Sequence, residues 1–255
     1  ETGSMQFTAI AQSIKASSSV LFMMGFGIML VAIGFKLALA PFHLWAADVY
    51  QGAPSPVTAF IATVSKIGVF AVLLRFAQSV NLQQYPLMMS TFSVIAIASM
   101  IVGNLLALRQ QNIKRLMGYS SIAHFGYLLV AFLPGNAAGV EAAAFYLIAY
   151  SITLLAVFGV ISVLSTRMKD AEDLAMYKGL FYKRPVLSAV LIISFLSLAG
   201  IPLTAGFIAK FFVLASGVHQ HLWLPVIVLV ITSVIGLYYY LRVISTLFAA
   251  APSAG

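Results

Sequence analysis

Long apolar stretches separated by short polar connections run along the chain and predict membrane-spanning helices. They cover residues 18–39, 55–75, 86–108, 116–133, 142–164, 186–216 and 222–248. A helix of about 20 apolar residues crosses the hydrocarbon core of a bilayer. The pattern therefore predicts an all-α, polytopic membrane helix bundle with about seven transmembrane segments.

Two of these segments contain helix-breaking residues. As one straight helix the sixth stretch would be about 46 Å long, against a hydrocarbon core of about 30 Å. Proline lacks a backbone donor, and a glycine before it weakens the helix further. We therefore expect breaks at Gly200 and Pro202 in the sixth segment and at Pro41 after the first. The similarity of LALAPFHLW to LSLAGIPLT indicates an internal repeat.

The composition supports a membrane environment. Hydrophobic residues make up 62% of the chain, charged residues 8%, and the mean hydropathy is +1.04. These values lie far outside the range of soluble domains. The chain has no cysteine, which excludes disulfides and thiolate metal sites within it. The net charge of +8 is spread over loop ends, which argues against a nucleic-acid-binding face.

Basic residues in the loops predict the orientation, because cytoplasmic loops are enriched in lysine and arginine. One set of alternate loops carries Arg109, Lys114, Arg115, Arg167, Lys169, Lys178, Lys183, Arg184 and Arg242. The opposite set carries only Lys15 and Arg75. We expect the chain to start outside and end inside, with a short amphipathic segment on the cytoplasmic surface within residues 165–184.

Three lysines, Lys36, Lys66 and Lys210, lie in apolar stretches without acidic residues. An ionisable side chain inside a membrane span marks a functional site by default, and a buried lysine can exchange protons near physiological pH. Lys66 lies too deep to reach water easily. Lys36, five residues before Pro41, could instead extend to the interface. Lys210 follows Pro202 by eight residues, where the break supplies free carbonyl groups.

The histidines and carboxylates complete the candidate set. His124, near the middle of the fourth stretch, suits a proton relay because histidine titrates near neutrality; the alternative is a packing histidine bonded to a backbone carbonyl. His219 and His221 face a loop and are expected to be solvated. Glu141 opens the fifth stretch and Asp48 lies at an interface, so an acidic partner for the lysines is expected from another segment or subunit.

Three motifs carry a resemblance to a known family. They are residues 35–75 (FKLALAPFHLWAADVYQGAPSPVTAFIATVSKIGVFAVLLR), 112–129 (NIKRLMGYSSIAHFGYLL) and 197–214 (SLAGIPLTAGFIAKFFVL). These motifs resemble those of the antiporter-like subunits of respiratory complex I, the proton-pumping NADH:quinone oxidoreductase. The DVYQGAP run, the Ser65-Lys66 pair and the lysine at Lys210 look most like the N type of these subunits.

The resemblance implies a role for each candidate residue. Lys36 would be the central lysine of a broken seventh helix, Lys66 the connecting lysine of the eighth, His124 a relay on the tenth, and Lys210 the terminal lysine of the second half-channel. The implied fold has two inverted repeats, with residues 1–85 ending the first and residues 86–255 forming the second, five-helix repeat. The glutamate that pairs with Lys36 in the family belongs to helices that would precede this chain.

The resemblance also implies a multi-pass subunit of the bacterial inner (plasma) membrane, with the N-terminus of this chain periplasmic and its C-terminus cytoplasmic. Its expected partners are the lipid bilayer and other membrane subunits, including neighbouring antiporter-like ones. No cofactor is expected in this chain; NADH, FMN, iron–sulfur clusters and quinone are expected in partner subunits. Two alternatives remain open: a cation/proton (Na+/H+) antiporter subunit, and an inactive structural fragment.

Overall fold

The computed structural model of the chain describes residues 6, 7, 9, 10, 12, 20–81, 84–166 and 170–250. In these residues the long helices are α1 (Val20–Leu37), α2 (Leu44–Gly52), α3 (Ser55–Val80), α4 (Pro86–Leu108), α5 (Ile113–Phe132), α6 (Ala137–Leu164), α7 (Pro185–Ala199), α8 (Ala205–His219) and α9 (Trp223–Phe248). The prediction of an all-α fold is confirmed.

Four of these helices, α3, α4, α6 and α9, are long and apolar enough to cross a membrane by length and composition. Helices α7 and α8 and the segment Met23–Leu37 are apolar but shorter. The predicted stretches coincide with the helices at most positions, and 86–108 matches α4 at both ends. The count of about seven spans stays a prediction.

Helical structure is interrupted at the two segments that contain Pro41 and Pro202. Between the end of α1 and the start of α2 lies Pro41, and the indole N–H of Trp45 donates to the carbonyl oxygen of Phe35 at 2.9 Å. Helix α7 ends before Gly200, which has a left-handed φ of 82°, and α8 begins three residues after Pro202. Each interruption removes the helical partners of nearby carbonyl groups.

Helix α5 is the centre of the bundle. All of its residues except Arg115 and Tyr119 are buried, and its main neighbour is α4. The two helices approach closely because a Cβ atom on Gly103 would lie only 2.6 Å from the backbone nitrogen of Ala123. Small residues permit such approach in membrane bundles. A helix surrounded by protein rather than lipid can carry many polar residues, as α5 does.

The loop between α6 and α7 forms a 3₁₀ turn (Leu174–Tyr177) and a short helix (Leu180–Lys183). Its apolar side chains Ala171, Leu174, Tyr177 and Leu180 are buried. At the same end of the bundle the Arg242 guanidinium donates to the carbonyl oxygens of Leu108 and Gln110. Lys15, Arg167 and Lys169, which entered the charge count, lie outside the described residues. The orientation across a membrane stays a prediction.

Candidate functional site

Lys66 is buried in the middle of α3, directly after a π-helical turn at Ile61–Ser65, and only 1% of it is exposed. Its Nζ donates to the Oγ of Ser121 on α5 at 2.8 Å. The ammonium also lies 4.9 Å from the ring centre of Phe125 and 5.5 Å from that of Tyr50. A hydroxyl and two aromatic faces therefore stabilise this amine, and no ion pair reaches it among the described residues.

His124 lies one helical turn beyond Ser121 on α5. Its Nδ1 is 2.8 Å from the hydroxyl of Tyr146 on α6, and its Nε2 is 3.0 Å from the hydroxyl of Tyr240 on α9. The Tyr240 hydroxyl is also hydrogen-bonded to the Oγ of Ser120. A neutral imidazole donates from one nitrogen and accepts at the other. The two tyrosines and the histidine therefore form a continuous hydrogen-bonded chain across three helices.

Lys210 lies in the second turn of α8 and is 7% exposed. Its Nζ donates to the carbonyl oxygens of Leu198 at 3.0 Å and Ala199 at 2.9 Å. These carbonyls end α7 and lack helical partners because of the break. The ammonium lies 5.2 Å from the ring centre of Tyr127, and a Cβ on Gly200 would come within 2.9 Å of the lysine side chain. The break thus provides both the acceptors and the space for Lys210.

Lys210 and His124 line one small cavity together with Tyr146 and Tyr150. Its volume of about 10 Å³ is close to what one water molecule needs. Lys210 also lines a second cavity of about 240 Å³ between α8 and α9, which is otherwise largely apolar. The side chain of Lys210 therefore borders both the small cavity inside the bundle and the larger cavity at its edge.

Lys36 does not join this group. It is exposed in the last turn of α1, five residues before Pro41. The structure brings together Lys66, His124 and Lys210 around α5 and leaves Lys36 on the surface of the described chain. Its role as the central lysine of a broken helix stays a prediction.

The sequence interpretation missed an ion pair at the end of the bundle. Lys114 is 1% exposed, although it was counted as a loop cation, and its Nζ donates to Asp170 and to the carbonyl oxygen of Ala53, both at 2.6 Å. Asp170 also accepts hydrogen bonds from the N–H and Oγ–H of Ser55 at the start of α3. Burial raises the pKa of Asp170, but the hydrogen bonds from Lys114 and Ser55 and the lysine charge outweigh it and hold that pKa below its ordinary value.

A second polar set that was missed lies between α4, α5 and α9. The side-chain amide of Asn104 donates to the Tyr127 hydroxyl at 2.9 Å and accepts from the Tyr239 hydroxyl at 3.1 Å. All three residues are buried. The run of three tyrosines at residues 238–240 within an apolar stretch was the available signal, because a buried phenol usually finds a hydrogen-bond partner.

The chain matches a family described as NADH:quinone oxidoreductase/Mrp antiporter, transmembrane, over residues 1–236. NADH-quinone oxidoreductase subunit N of Ectopseudomonas mendocina is 53% identical over 255 residues, which cover 99% of this chain and 52% of that relative. The chain thus spans about half the length of this curated relative.

Solved structures agree with this match. Respiratory complex I from Thermus thermophilus with bound aureothin contains a chain that is 36% identical with a TM-score of 0.80, over 97% of this chain and 57% of that one. The Mrp complex of Dietzia sp. DQ12-45-1b, at 23% identity and a TM-score of 0.85, shares the fold over 93% of this chain and 44% of its own. The resemblance of the sequence motifs is confirmed, and the chain belongs to the NADH:quinone oxidoreductase/Mrp antiporter family of membrane proteins.

Proposed function

We propose that the chain is the proton-conducting part of an N-type membrane subunit of NADH:quinone oxidoreductase. The redox chemistry of NADH, FMN, iron–sulfur clusters and quinone would take place in partner subunits. The observation that carries this proposal is the set of buried proton-holding groups around α5: Lys66 on Ser121, His124 between two tyrosines, and Lys210 across a water-sized cavity. The 53% identical relative supports the assignment to this complex.

The geometry supports a lateral proton path inside the bundle. Ser121 accepts the hydrogen bond from Lys66, and His124 follows about 4.5 Å further along the helix axis. The side chains of His124, Tyr150 and Lys210 all line the same small cavity. One water molecule in that cavity would complete the connection between the imidazole and the amine.

The absence of a counter-ion at Lys66 among the described residues makes its protonation sensitive to its surroundings. A charge on a nearby group changes the relative free energies of the ammonium and the neutral amine, and this effect is large where water does not screen it. A carboxylate in a partner segment that gains or loses charge during electron transfer would therefore drive proton uptake and release at the lysines. This is the coupling that the proposal requires.

The test is the Lys66→Ala variant in the full-length subunit of the assembled enzyme. NADH-driven proton uptake and the oxidation of NADH by quinone are measured in the same membrane vesicles. The matched control is Lys178→Ala, which changes an exposed lysine in a loop. We expect proton uptake to be largely lost in Lys66→Ala and retained in the control. Unchanged proton uptake would remove Lys66 from the path. Exchange of Na+ or K+ for protons by the purified subunit in liposomes would favour the antiporter alternative.

A further inference from the structure

Lys66 is a buried amine that has no carboxylate beside it. Neither ion pair of the described residues includes it, and only 1% of the residue is exposed. A buried charge is costly unless neighbouring groups compensate for it. In the part of the chain that the structure describes, Nζ contacts the Oγ of Ser121 at 2.8 Å and two ring faces, those of Phe125 and Tyr50. The three contacts differ in whether they distinguish the ammonium from the neutral amine.

The Ser121 hydroxyl does not distinguish the two forms. A hydroxyl group has one donor hydrogen and two acceptor lone pairs, so it accepts from an ammonium and can donate to a neutral amine. The hydrogen bond between Ser121 and the Tyr50 hydroxyl, at 3.3 Å, permits this change because either oxygen can be the donor. Ser121 therefore bonds to Lys66 in both of its protonation states.

The two aromatic rings do distinguish them. The face of an aromatic ring carries negative potential and attracts a cation within about 6 Å of the ring centre. The Lys66 Nζ lies 4.9 Å from the ring centre of Phe125 and 5.5 Å from that of Tyr50. Both rings are fully buried, so water does not screen the attraction. A neutral amine carries no net charge, and this attraction is then absent.

Other aromatic side chains hold the two rings in place. Phe125 on α5 contacts Phe70 and Tyr150 edge to face, with ring centres 6.0 and 5.9 Å apart. Tyr50 on α2 contacts Phe158 in the same manner at 6.2 Å. None of these contacts involves the lysine. The ring faces are therefore in position for the ammonium before Lys66 takes up a proton.

We propose that the ring faces of Phe125 and Tyr50 take the place of a counter-ion at Lys66, and that Phe125, the nearer ring, is a positioning residue that holds the ammonium and not the neutral amine. In the neutral amine only the hydrogen bond with Ser121 remains. The Phe125 ring thereby contributes to the free energy of loading Lys66 with a proton. The role of Lys66 in proton transfer rests on the proposed function.

Fluorination of the ring tests the contact without removing it. Phenylalanines with one, two or three ring fluorines replace Phe125 in the full-length subunit by suppression of a stop codon. Each fluorine weakens the negative potential of the ring face and changes the shape of the ring little. The denaturant midpoint of unfolding is measured in detergent with Lys66 and with Lys66→Met. The edge-to-face contacts of the ring change alike on both backgrounds, so the double-mutant cycle isolates the contact with the amine.

We expect the midpoint to fall further with each fluorine when Lys66 is present than when it is replaced by methionine. The control is the same series at Phe92, a fully buried ring that contacts Phe26 and Phe132 edge to face; its effect should be equal on the two backgrounds. Equal effects at Phe125 would overturn the proposal. This readout does not depend on proton pumping, so it remains decisive if Lys66→Ala refutes the proposed function.

The second arm measures proton uptake per NADH oxidised in vesicles that contain the assembled enzyme. We expect this ratio to decrease stepwise with the number of fluorines at Phe125, by several-fold with three, and to stay unchanged with the same series at Phe92. The variants with one and two fluorines give the trend if the third does not assemble. A ratio that is independent of fluorination at Phe125 would refute its part in loading Lys66, whatever the unfolding experiment shows.

Discussion

Replacement of Asp170 tests the ion pair with Lys114, through which the loop after α6 is joined to the starts of α3 and α5. In Asp170→Ala the buried Lys114 ammonium keeps only the carbonyl oxygen of Ala53, and Ser55 loses the acceptor for its N–H and Oγ–H. Removing one partner of a buried pair costs about 3 to 5 kcal/mol. The Asp170 side chain is 25% exposed, so we expect the lower end, about 3 kcal/mol. Asp170→Asn keeps an acceptor for Ser55 and should cost about 2 kcal/mol.

A double-mutant cycle separates the pair from its surroundings. The free energy of unfolding is measured for Asp170→Ala, Lys114→Met and the double variant of the full-length subunit in detergent, by denaturant titration. We expect the double variant to be more stable than Asp170→Ala, because an apolar side chain in place of the buried cation removes the unpaired charge. Purely additive costs would show that the two side chains are not coupled and would refute the reasoning.

The lowered pKa of Asp170 adds a pH signature to the same measurement. Because this pKa is lower in the folded than in the unfolded chain, the carboxylate stabilises the fold fully above its ordinary pKa and loses this effect as the pH falls through the folded value. The stability difference between wild type and Asp170→Asn should stay constant from about pH 8 to pH 5 and shrink below about pH 4. A difference that grows on acidification would contradict the sign.

Three further changes test the packing around α5 and α8. Gly206→Ala would place a Cβ 1.8 Å from a backbone carbonyl oxygen of α7, so we expect it to lower the free energy of unfolding by about 3 kcal/mol or more and to reduce the amount of assembled complex. Gly159→Ala is the control: its Cβ would have nothing within 4 Å, and the amount of assembled complex should not change. Asn104→Leu leaves two buried tyrosine hydroxyls without this partner and should lower the free energy of unfolding by about 2 kcal/mol. Ser121→Ala removes the hydroxyl at Lys66 and should reduce proton uptake in vesicles more than it reduces assembly.

The helices could be predicted from the sequence because each segment that crosses a bilayer has to be apolar over its own length. Helices α3, α4, α6 and α9 have to be apolar whatever else they contact, so their hydropathy identifies them directly. Helix α2 was not predicted, since its nine residues include Asp48 and Gln51 and are too few to give an apolar signal. Helix α3 continues beyond Arg75, to Val80, because Phe76 and Val80 are buried against the rest of the protein. Hydropathy alone does not predict this burial.

The partners of the site residues could not be predicted, because their contacts are distant in sequence. The ring nitrogens of His124 bond to tyrosines 22 and 116 residues away, and Lys114 pairs with Asp170 across 56 residues. Loop charge counting treats every basic residue near a helix end alike, so it cannot separate a buried, paired Lys114 from an exposed Lys178. Only the folded structure, which brings Lys114 to the carbonyl oxygen of Ala53 and to Asp170, makes the distinction.

Lys66 and Lys210, which are buried without an acidic partner among the described residues, share a physical setting that explains how the bundle can hold them. Each lies beside a local departure from α-helical geometry: Lys66 follows a π turn, and Lys210 faces the broken end of α7. Such departures free backbone groups. Carbonyl oxygens at the end of α7 take the place of a counter-ion at Lys210, and the Ser121 hydroxyl does so at Lys66. Helix α5, shielded from lipid, supplies Ser121 and His124 between them. In the proposed function, an arrangement built on neutral acceptors would leave the charge of each amine to be set by groups that change during turnover, which is the property that proton transfer requires.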